Sequence, residues 1–588
     1  MELLTGAQMR AIERAAIDSG EVTGLELMER AGQGVVEAIF DKWPELAPMG
    51  AASREASLSS SPRFSEQGEE EGAARRAVVL CGPGNNGGDG FVIARLLHGL
   101  GWTVEVLFWG DLDKLPGDAR VMHDAWSEVG PIVPLTMDAA ASGLRPVLMV
   151  DALLGIGANR ALPLEIGLAH HAIEKRDVGA THPWLKPFHV VSVDCPSGMD
   201  SDSGQFLMPT PPEQTGDDEQ TVEDWWRWWS QDAQKRLLRT DFVVTFHRLK
   251  PAHVMAYPVF KTKVVDIGLG AEDTHPSHLL MPHDPDIARL IDADFGKKFR
   301  KARMWPGSLV AKTRGHKFEF GHVLALSGGA GKTGAARLAA RAALRVGAGL
   351  VTLGVPGSAQ MEVASHVTSL MVAQLDDADA LQTALNDPRI SSLCLGPGLG
   401  FDRARALVPA VLASGRRVVL DADALSAFAD DPGALFDVAH PGCVMTPHAG
   451  EFERLFPDLA RRLKEPATRA PVYSKLDATR DAARRAGCII LFKSVDSVIA
   501  HPDGRCSIHA AIRDNAVPWL AIAGAGDVLA GLIAGLLARP IPNEIDIMAA
   551  VEVAVWLHVQ CARSFGPGLI AEDLPEELPK VLRQILQS

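Results

Sequence analysis

Ala521-Ile-Ala-Gly-Ala-Gly-Asp-Val-Leu-Ala-Gly-Leu-Ile-Ala-Gly-Leu-Leu-Ala538 carries one charge, Asp527. Three small residues, Gly524, Ala525 and Gly526, precede that carboxylate and an apolar run at helical spacing follows it, which predicts Asp527 in the first turn of a buried helix. N–H groups at a helix start lack intrahelical acceptors, and with the positive end of the dipole behind them Gly524, Ala525 and Gly526 form an anion hole suited to phosphate oxygens. A carboxylate beside that hole can take a proton from a hydroxyl as it attacks a phosphoryl group. Trp519 to Ala538 is also about the length of a membrane span, but an aspartate near its middle costs about 2.5–3.5 kcal/mol and no Lys/Arg cluster flanks it. A purely structural core helix is the other reading.

The 588 residues exceed what one core holds, and two large domains are expected. An apolar fraction of 47% and a charged fraction of 22% are those of a soluble globular chain. A net charge of −15 with no basic tract argues against nucleic-acid binding. The seven cysteines are scattered and never form a CxxC pair, so a reducing cytoplasm and no zinc site are expected. No signal peptide is visible in Met1-Glu-Leu-Leu-Thr-Gly-Ala-Gln-Met9.

In the first half, Thr5 to Trp43 reads as two helices around a Gly20/Gly24 break, and residues 48–76, rich in Ala, Ser and Glu, as a disordered or surface insertion. Ala77-Val-Val-Leu-Cys81 is a buried strand, followed by the loop Gly82-Pro-Gly-Asn-Asn-Gly-Gly-Asp-Gly90 and a helix from Phe91. GxGxxG alone is a weak dinucleotide signal, but Asn85, Asn86 and Asp89 add polar groups that a turn built only for the fold has no use for. Two further strands run into Asp151 and Asp194, with the loops Leu153 to Arg160 and Cys195 to Gly198 behind them. In an open parallel sheet these carboxyl ends converge on one ligand site. Residues 206–239, with Trp225, Trp226, Trp228 and Trp229, read as a second insertion.

Asn85-Asn-Gly-Gly-Asp89, Val150-Asp-Ala-Leu-Leu-Gly155 and Asp194-Cys-Pro-Ser-Gly198 resemble the signature of the YjeF N-terminal family, the NAD(P)H-hydrate epimerases, over about Met1 to Gly270. The resemblance implies a Rossmann-like doubly wound sheet. It implies a hydrate site of Asn85, Asn86, Gly87, Gly88 and Asp89, the loop Gly155, Ile156, Gly157, Ala158, Asn159, Arg160 and Ala161, and Asp194 as the acid/base group. A potassium ion on Asn86, Asp151 and Ser197 is implied as well, all oxygen ligands suited to a hard cation.

The stretch 271–305 is read as a linker before a second domain of residues 306–588. Gly321-His-Val-Leu-Ala-Leu326 is a strand, and Ser327-Gly-Gly-Ala-Gly-Lys-Thr-Gly334 is a glycine turn rather than a P-loop, because GxxxxGK[ST] would need glycine at Leu326. Further strands end in Gly396-Pro-Gly-Leu-Gly400, Asp421-Ala-Asp423, Thr446-Pro-His-Ala-Gly-Glu451 and Lys493-Ser-Val-Asp-Ser497, the alternation of an α/β layered fold. Their order, closing on Ala523-Gly-Ala-Gly-Asp527, resembles the YjeF C-terminal family of ribokinase-like NAD(P)H-hydrate dehydratases over about Phe318 to Ile585. The resemblance implies hydrate contacts at Ala335, Gly398, His448 and Asp527, and ADP or ATP with magnesium on Lys493, Ser494, Val495, Asp496, Ser497 and Gly526. Lys332, Ala525 and Ser494 depart from the family pattern, which has an aromatic, Ser and Gly there.

Together the two resemblances imply a cytoplasmic, homo-oligomeric repair enzyme that epimerises R and S hydrates of NADH or NADPH and dehydrates the S form, with Asp194 and Asp527 catalytic. The alternative is a ribokinase-like small-molecule kinase with an accessory nucleotide-binding domain.

Overall fold

The computed structural model describes residues 1–48, 75–176, 188–208, 239–255, 260–270, 284–292, 295, 310, 312, 315–541 and 546–587. The four tryptophans between 225 and 229, and most of both insertions and of the segment 271–305, lie outside them. The chain forms two compact units: Leu4–Gly270 with Pro466–Val472, and Met1–Leu3 with Ala271–Glu465 and Tyr473–Ser588. Strand β1 (Glu2–Leu3) therefore belongs to the second unit.

The first unit is built on β2 (Arg76–Cys81), β3 (Thr103–Phe108), β4 (Ile132–Pro134), β5 (Leu148–Ala152), β6 (His189–Val193), β7 (Phe242–Phe246) and β8 (Lys261–Val265). These pair in parallel in the order β4-β3-β2-β5-β6-β7-β8. Val78 to Cys81 and Leu148 to Ala152 are buried throughout, as central parallel strands covered on both faces must be. The chain leaves β2 toward β3 on one side and reaches β5 on the other, so the crevice between their carboxyl ends is the topological switch point where doubly wound folds bind ligands. Thr5 and Thr23 each close a capping box, with Gln8 and Glu26, and start the helices Gly6–Asp18 and Gly24–Lys42.

The second unit carries an eleven-stranded sheet of β1, β9 (Ala288–Leu290), β10 (His322–Leu326), β11 (Leu350–Val355), β12 (Met371–Gln374), β13 (Ile390–Leu395), β14 (Arg417–Leu420), β15 (Cys443–Met445), β16 (Ile489–Phe492), β17 (Asp496–Ala500) and β18 (Cys506–Ala510). Its order is β1-β9-β18-β17-β16-β15-β14-β13-β10-β11-β12. The stretch from β16 to β12 is parallel, and β17 with its two neighbours is antiparallel. The helix Ala525–Ala538 is buried from Val528 onward against the helix Gly334–Arg345. A Cβ on Gly531 would stand 2.0 Å from the Ala339 carbonyl oxygen, so these two helices pack backbone to backbone. No described helix is long and apolar enough to cross a membrane.

Three expectations need correction. Within the segment read as a linker, Ala288–Leu290 is a sheet strand and Ile291 and Phe295 lie in the core, because their apolar side chains complete the layer beyond β18. Phe206, Leu207 and Met208, read as the start of an insertion, are buried in the first unit, where Leu207 packs on Ala467 and Val472 and the Met208 N–H donates to the Ala467 carbonyl at 2.6 Å. The polar loop Asn85 to Asp89 is the first turn of the helix Asn85–Gly99, capped by an extended Gly84, so its side chains stand on a helix start rather than in a free loop.

Candidate active sites

In the first unit, the carboxyl end of β6 turns at Asp194, whose φ of 65° is a strained left-handed conformation for a residue with a side chain. The strain has a use, since it aims the carboxylate across the switch point. Asp194 Oδ1 accepts from Thr245 Oγ1 at 2.9 Å and from Lys250 Nζ at 3.1 Å, and Oδ2 accepts from the Ile156 N–H at 3.3 Å. Lys250 is fully buried, and its ammonium also donates to Thr245 Oγ1 and the Phe246 carbonyl, which satisfies all three of its protons. His253 accepts the Lys250 N–H at Nδ1, so its proton sits on Nε2, which donates to the Asp194 carbonyl at 2.9 Å.

These contacts decide the charge states. Burial pushes the Asp194 carboxyl up, but the Lys250 charge and the hydrogen bonds from Lys250 and Thr245 outweigh it and hold the group below its ordinary range. Glu13, on the helix Gly6–Asp18, is pushed the other way, to about 7, by burial and by the Asp194 charge. Asp89 is raised well above its ordinary value by burial and then by the charges of Asp194 and Glu13. An ionised carboxylate beside carboxyls whose proton affinity is raised is the pairing that acid/base catalysis uses.

Asn86, Gly155 and Asp194 meet at one point, since a Cβ on Gly155 would stand 2.9 Å from Asn86 Oδ1 and 3.3 Å from Asp194 Oδ2. Only glycine leaves that space open. The Asn86 Nδ2 is buried without a hydrogen-bond partner. Asp151, buried at the end of β5, accepts from Ser197 Oγ at 2.5 Å, from the Ser197 N–H at 3.1 Å and from Ser192 Oγ at 3.2 Å. The Gly155–Ala161 loop is held by Arg10, which donates to the Ile156 carbonyl at 2.8 Å, and by a bridge between Arg160 and Arg469.

In the second unit the glycine turns after β10 and β13 lie against each other: a Cβ on Gly328 would stand 2.0 Å from the Gly398 oxygen, and one on Gly398 3.5 Å from the Ala335 Cβ. Asp421 ends β14 and accepts from Thr446 Oγ1 at 2.7 Å and from Lys493 Nζ. This pair sits over the start of the helix Ala525–Ala538, with Lys493 Nζ 3.4 Å from where a Gly526 Cβ would be. Asp527, in the first turn, is pushed up to about 6 by burial and by the Asp421 charge, against the pull of Lys493. The N–H groups of Gly526 and Asp527 have no acceptor among the described residues, whereas the Ala525 N–H turns to the Ile522 carbonyl at 3.4 Å. Among the described residues, the N–H groups left free at this helix start therefore include Gly526 and Asp527 but not Ala525.

His448 caps the helix Ala449–Leu455, with Nδ1 accepting from Gly450 and Glu451, which leaves Nε2 with the proton, 3.4 Å from Glu451 Oε1. The 493–497 loop is tied by Lys475, which donates to Ser494 Oγ at 2.5 Å and Asp496 Oδ1 at 2.6 Å, and by Ser497 Oγ on the Ser494 carbonyl. Val495 is exposed at its tip.

Residues 24–252 match the family described as YjeF-related protein N-terminus, and residues 323–583 match the family described as NAD(P)H-hydrate dehydratase. A bifunctional NAD(P)H-hydrate repair enzyme of Moorella thermoacetica is 30% identical over all of this chain and 97% of its own length. The chain belongs to the bifunctional NAD(P)H-hydrate repair enzyme family. An NAD(P)H-hydrate epimerase of Rhodobacter capsulatus is 40% identical over 43% of this chain and 91% of its own. The crystal structure of an ADP/ATP-dependent NAD(P)H-hydrate dehydratase from Bacillus subtilis, co-crystallised with ATP and Mg2+, covers 47% of this chain and 93% of its own at 26% identity and a TM-score of 0.38.

Several groups in these two sites escape a motif reading of the repair-enzyme family. Lys250 and Thr245 lie at and beyond the carboxyl end of β7, the sheet edge where ligand-binding groups gather, and that rule is the signal that points to them. Glu13 sits among exposed neighbours on a surface helix and carries no sequence signal. His558, buried on the helix Ile547–Phe565, hydrogen-bonds the backbone of Ala525, a contact no local pattern encodes.

Proposed function

We propose that the chain restores hydrated NADH and NADPH, interconverting the R and S hydrates in its first unit and dehydrating the S hydrate in its second at the expense of ADP or ATP. The observation that carries this reading is the full-length match to a bifunctional repair enzyme. The first unit is assigned as the epimerase domain and residues 306–588 as the dehydratase domain.

In the epimerase domain the hydrate lies over Asn85 to Asp89 and the Gly155 to Ala161 loop, in the space that Gly155 leaves open beside Asn86 and Asp194. Asp194 stays ionised through Lys250 and takes the proton of the ring hydroxyl as the bond from that carbon to the ring nitrogen opens to an aldehyde. The nitrogen re-adds to the opposite face, the oxygen regains its proton, and Glu13 and Asp89, both raised by burial, can hold the proton meanwhile. Potassium on Asn86, Asp151 and Ser197 fits an all-oxygen donor set whose carboxylate and hydroxyl are already neighbours, and when bound supplies fixed positive charge there.

In the dehydratase domain Asp527 removes the proton of the hydrate hydroxyl as that oxygen attacks the terminal phosphorus of the nucleotide. The N–H groups at the helix start receive the transferred phosphoryl oxygens as AMP or ADP leaves, and loss of phosphate from the ring together with a proton from the neighbouring ring carbon restores the carbon–carbon double bond. The hydrate contacts Ala335, Gly398 and His448, and the nucleotide lies along the Lys493 to Ser497 loop and Gly526. Magnesium fits the donor chemistry, because the carboxylates of Asp421, Glu451 and Asp527 all act on the Lys493 ammonium; Asp421 and Glu451 would hold it, and it would supply positive charge against the nucleotide phosphates. The chain acts in the cytoplasm, in keeping with seven free and buried cysteines, and as a homo-oligomer.

The test follows reduced-nicotinamide absorbance as purified protein acts on mixed R and S hydrates with ADP and magnesium. Complete recovery supports both domains. Phosphorylation of another alcohol with no recovery supports the kinase alternative instead.

A further inference from the structure

A cleft of about 680 Å³ opens in the second unit beside the start of the helix Gly334–Arg345, between that helix, the segment His366–Leu370 and the C-terminal helix Asp573–Gln587. Arg337, Arg341 and Arg345 line it from one face of the first helix, at a four-residue spacing. The last two share one counter-ion, with Arg341 Nε and Arg345 Nη2 each 2.5 Å from a Glu576 carboxylate oxygen. Arg337 makes no direct pair among the described residues: its Nε is buried without a hydrogen-bond partner, and the Glu362 carboxylate acts on its guanidinium only through charge at longer range. The nearby Glu362 carboxylate is committed elsewhere, to Thr333 Oγ1 at 2.5 Å and the Gly331 N–H at 2.6 Å. The rest of the wall is mixed, with Leu338, Val367, Leu370 and Leu582 on the apolar side and Thr368, Ser369 and the Glu572 carboxylate among the polar groups.

An arginine fork left without a direct ion pair in a half-apolar cleft matches a phosphate group attached to a flat, apolar-faced base. The cleft begins at Gly334, next to Ala335 on the hydrate side of the glycine turns, and the helix carries it away from Asp527 for about 15 Å over ten residues. We infer that Arg337 and this cleft bind the phosphorylated adenosine half of the dinucleotide hydrate, and so set the preference of the dehydratase for dinucleotides over mononucleotides. The inference rests on the dehydratase reading above. Arg337 anchors a phosphate remote from the reacting ring, and Leu338 and Leu370 receive the base.

The discriminating comparison is between hydrated NADH and hydrated reduced nicotinamide mononucleotide, which has the same reacting ring and no adenylate half. With the full chain, Arg337→Ala raises KM for the dinucleotide hydrate by about tenfold or more, the loss expected for a charge-assisted contact. It leaves kcat on that substrate, and both constants on the mononucleotide, within about twofold. Arg337→Lys, which keeps the charge and loses the fork, falls between the two. A thermal melt that matches the unaltered chain confirms that the variant folds. The inference is overturned if Arg337→Ala impairs both substrates alike, or neither. It is also overturned if the variant instead raises KM for ADP, because the cleft would then hold the nucleotide co-substrate. An unaltered chain that regenerates neither substrate refutes the dehydratase reading itself, a result distinct from either of these.

Discussion

Lys250 Nζ lies 3.1 Å from Asp194 Oδ1, with the lysine fully buried and the carboxylate nearly so. A buried ammonium and a buried carboxylate are each costly alone and tolerable together. The pair keeps Asp194 ionised at neutral pH, as the proposed base must be. Lys250→Met removes the counter-charge and leaves an uncompensated carboxylate, which then gains protons more readily. Epimerisation of the pure S hydrate, followed by chromatography, is expected to fall by about 10²-fold or more at pH 7 and to recover partly at higher pH. Unfolding free energy is expected to fall by about 3–5 kcal/mol in denaturant titration.

Glu13 titrates at about 7, held there by burial and by the Asp194 charge. Above that pH it loses its proton and ceases to act as an acid. Epimerase activity of the unaltered chain should therefore decline as pH rises through about 7, and Glu13→Gln should show no titration in that window. A pH profile of epimerisation between 5.5 and 9, with both proteins, measures this directly.

In the proposed function Asp527 and Asp194 act on different steps. Asp527→Asn should remove dehydration by about 10²–10⁴-fold, the usual contribution of a general base, while epimerisation continues. Asp194→Ala should leave recovery of reduced cofactor limited to the S fraction supplied. Absorbance traces on mixed hydrates separate the two plateaus.

Gly328 sits where a Cβ would be 2.0 Å from the Gly398 oxygen, with backbone and no flexible side chain to yield. Gly328→Ala should push the two glycine turns apart. We expect about 1–3 kcal/mol of destabilisation by thermal or denaturant melting and a rise in KM for the hydrate.

His509 and His558 are each held down to about 4 by burial in the second unit, against 6.5 when unfolded. Below pH 6.5 the unfolded chain takes up protons that the folded chain refuses, so stability is lost as pH falls from 6.5 toward about 4. The slope is about 1.4 kcal/mol per pH unit for each histidine. Denaturant melts between pH 7 and 5 should show it, and His509→Gln should halve the steepness contributed by the pair.

The start of the helix Ala525–Ala538, the carboxylate-ending strands and the parallel α/β layering were legible in the amino-acid sequence, whereas the helix read from Phe91 begins at Asn85. Glycine spacing, apolar runs and strand-end aspartates are short-range patterns, and Asp527 stands where such a pattern predicts, in the first turn of a buried helix. What the sequence alone determined was this chemistry and its order along the chain. Tertiary structure alone decided which groups meet. Asp194 is 56 residues from Lys250, and its partnership with Glu13 crosses most of the first unit. Residues 466–472 pack on Leu207 and Met208 rather than on their chain neighbours, and Met1–Leu3 extends the sheet of the second unit beside Ala288–Leu290. Arg337 makes no direct ion pair among the described residues because Glu576 is taken by Arg341 and Arg345 and Glu362 by Thr333 and the Gly331 turn. The physical reason is common to all of these: burial and pairing depend on distance in space, and distance in space between residues far apart in the chain is set by packing rather than by any local pattern.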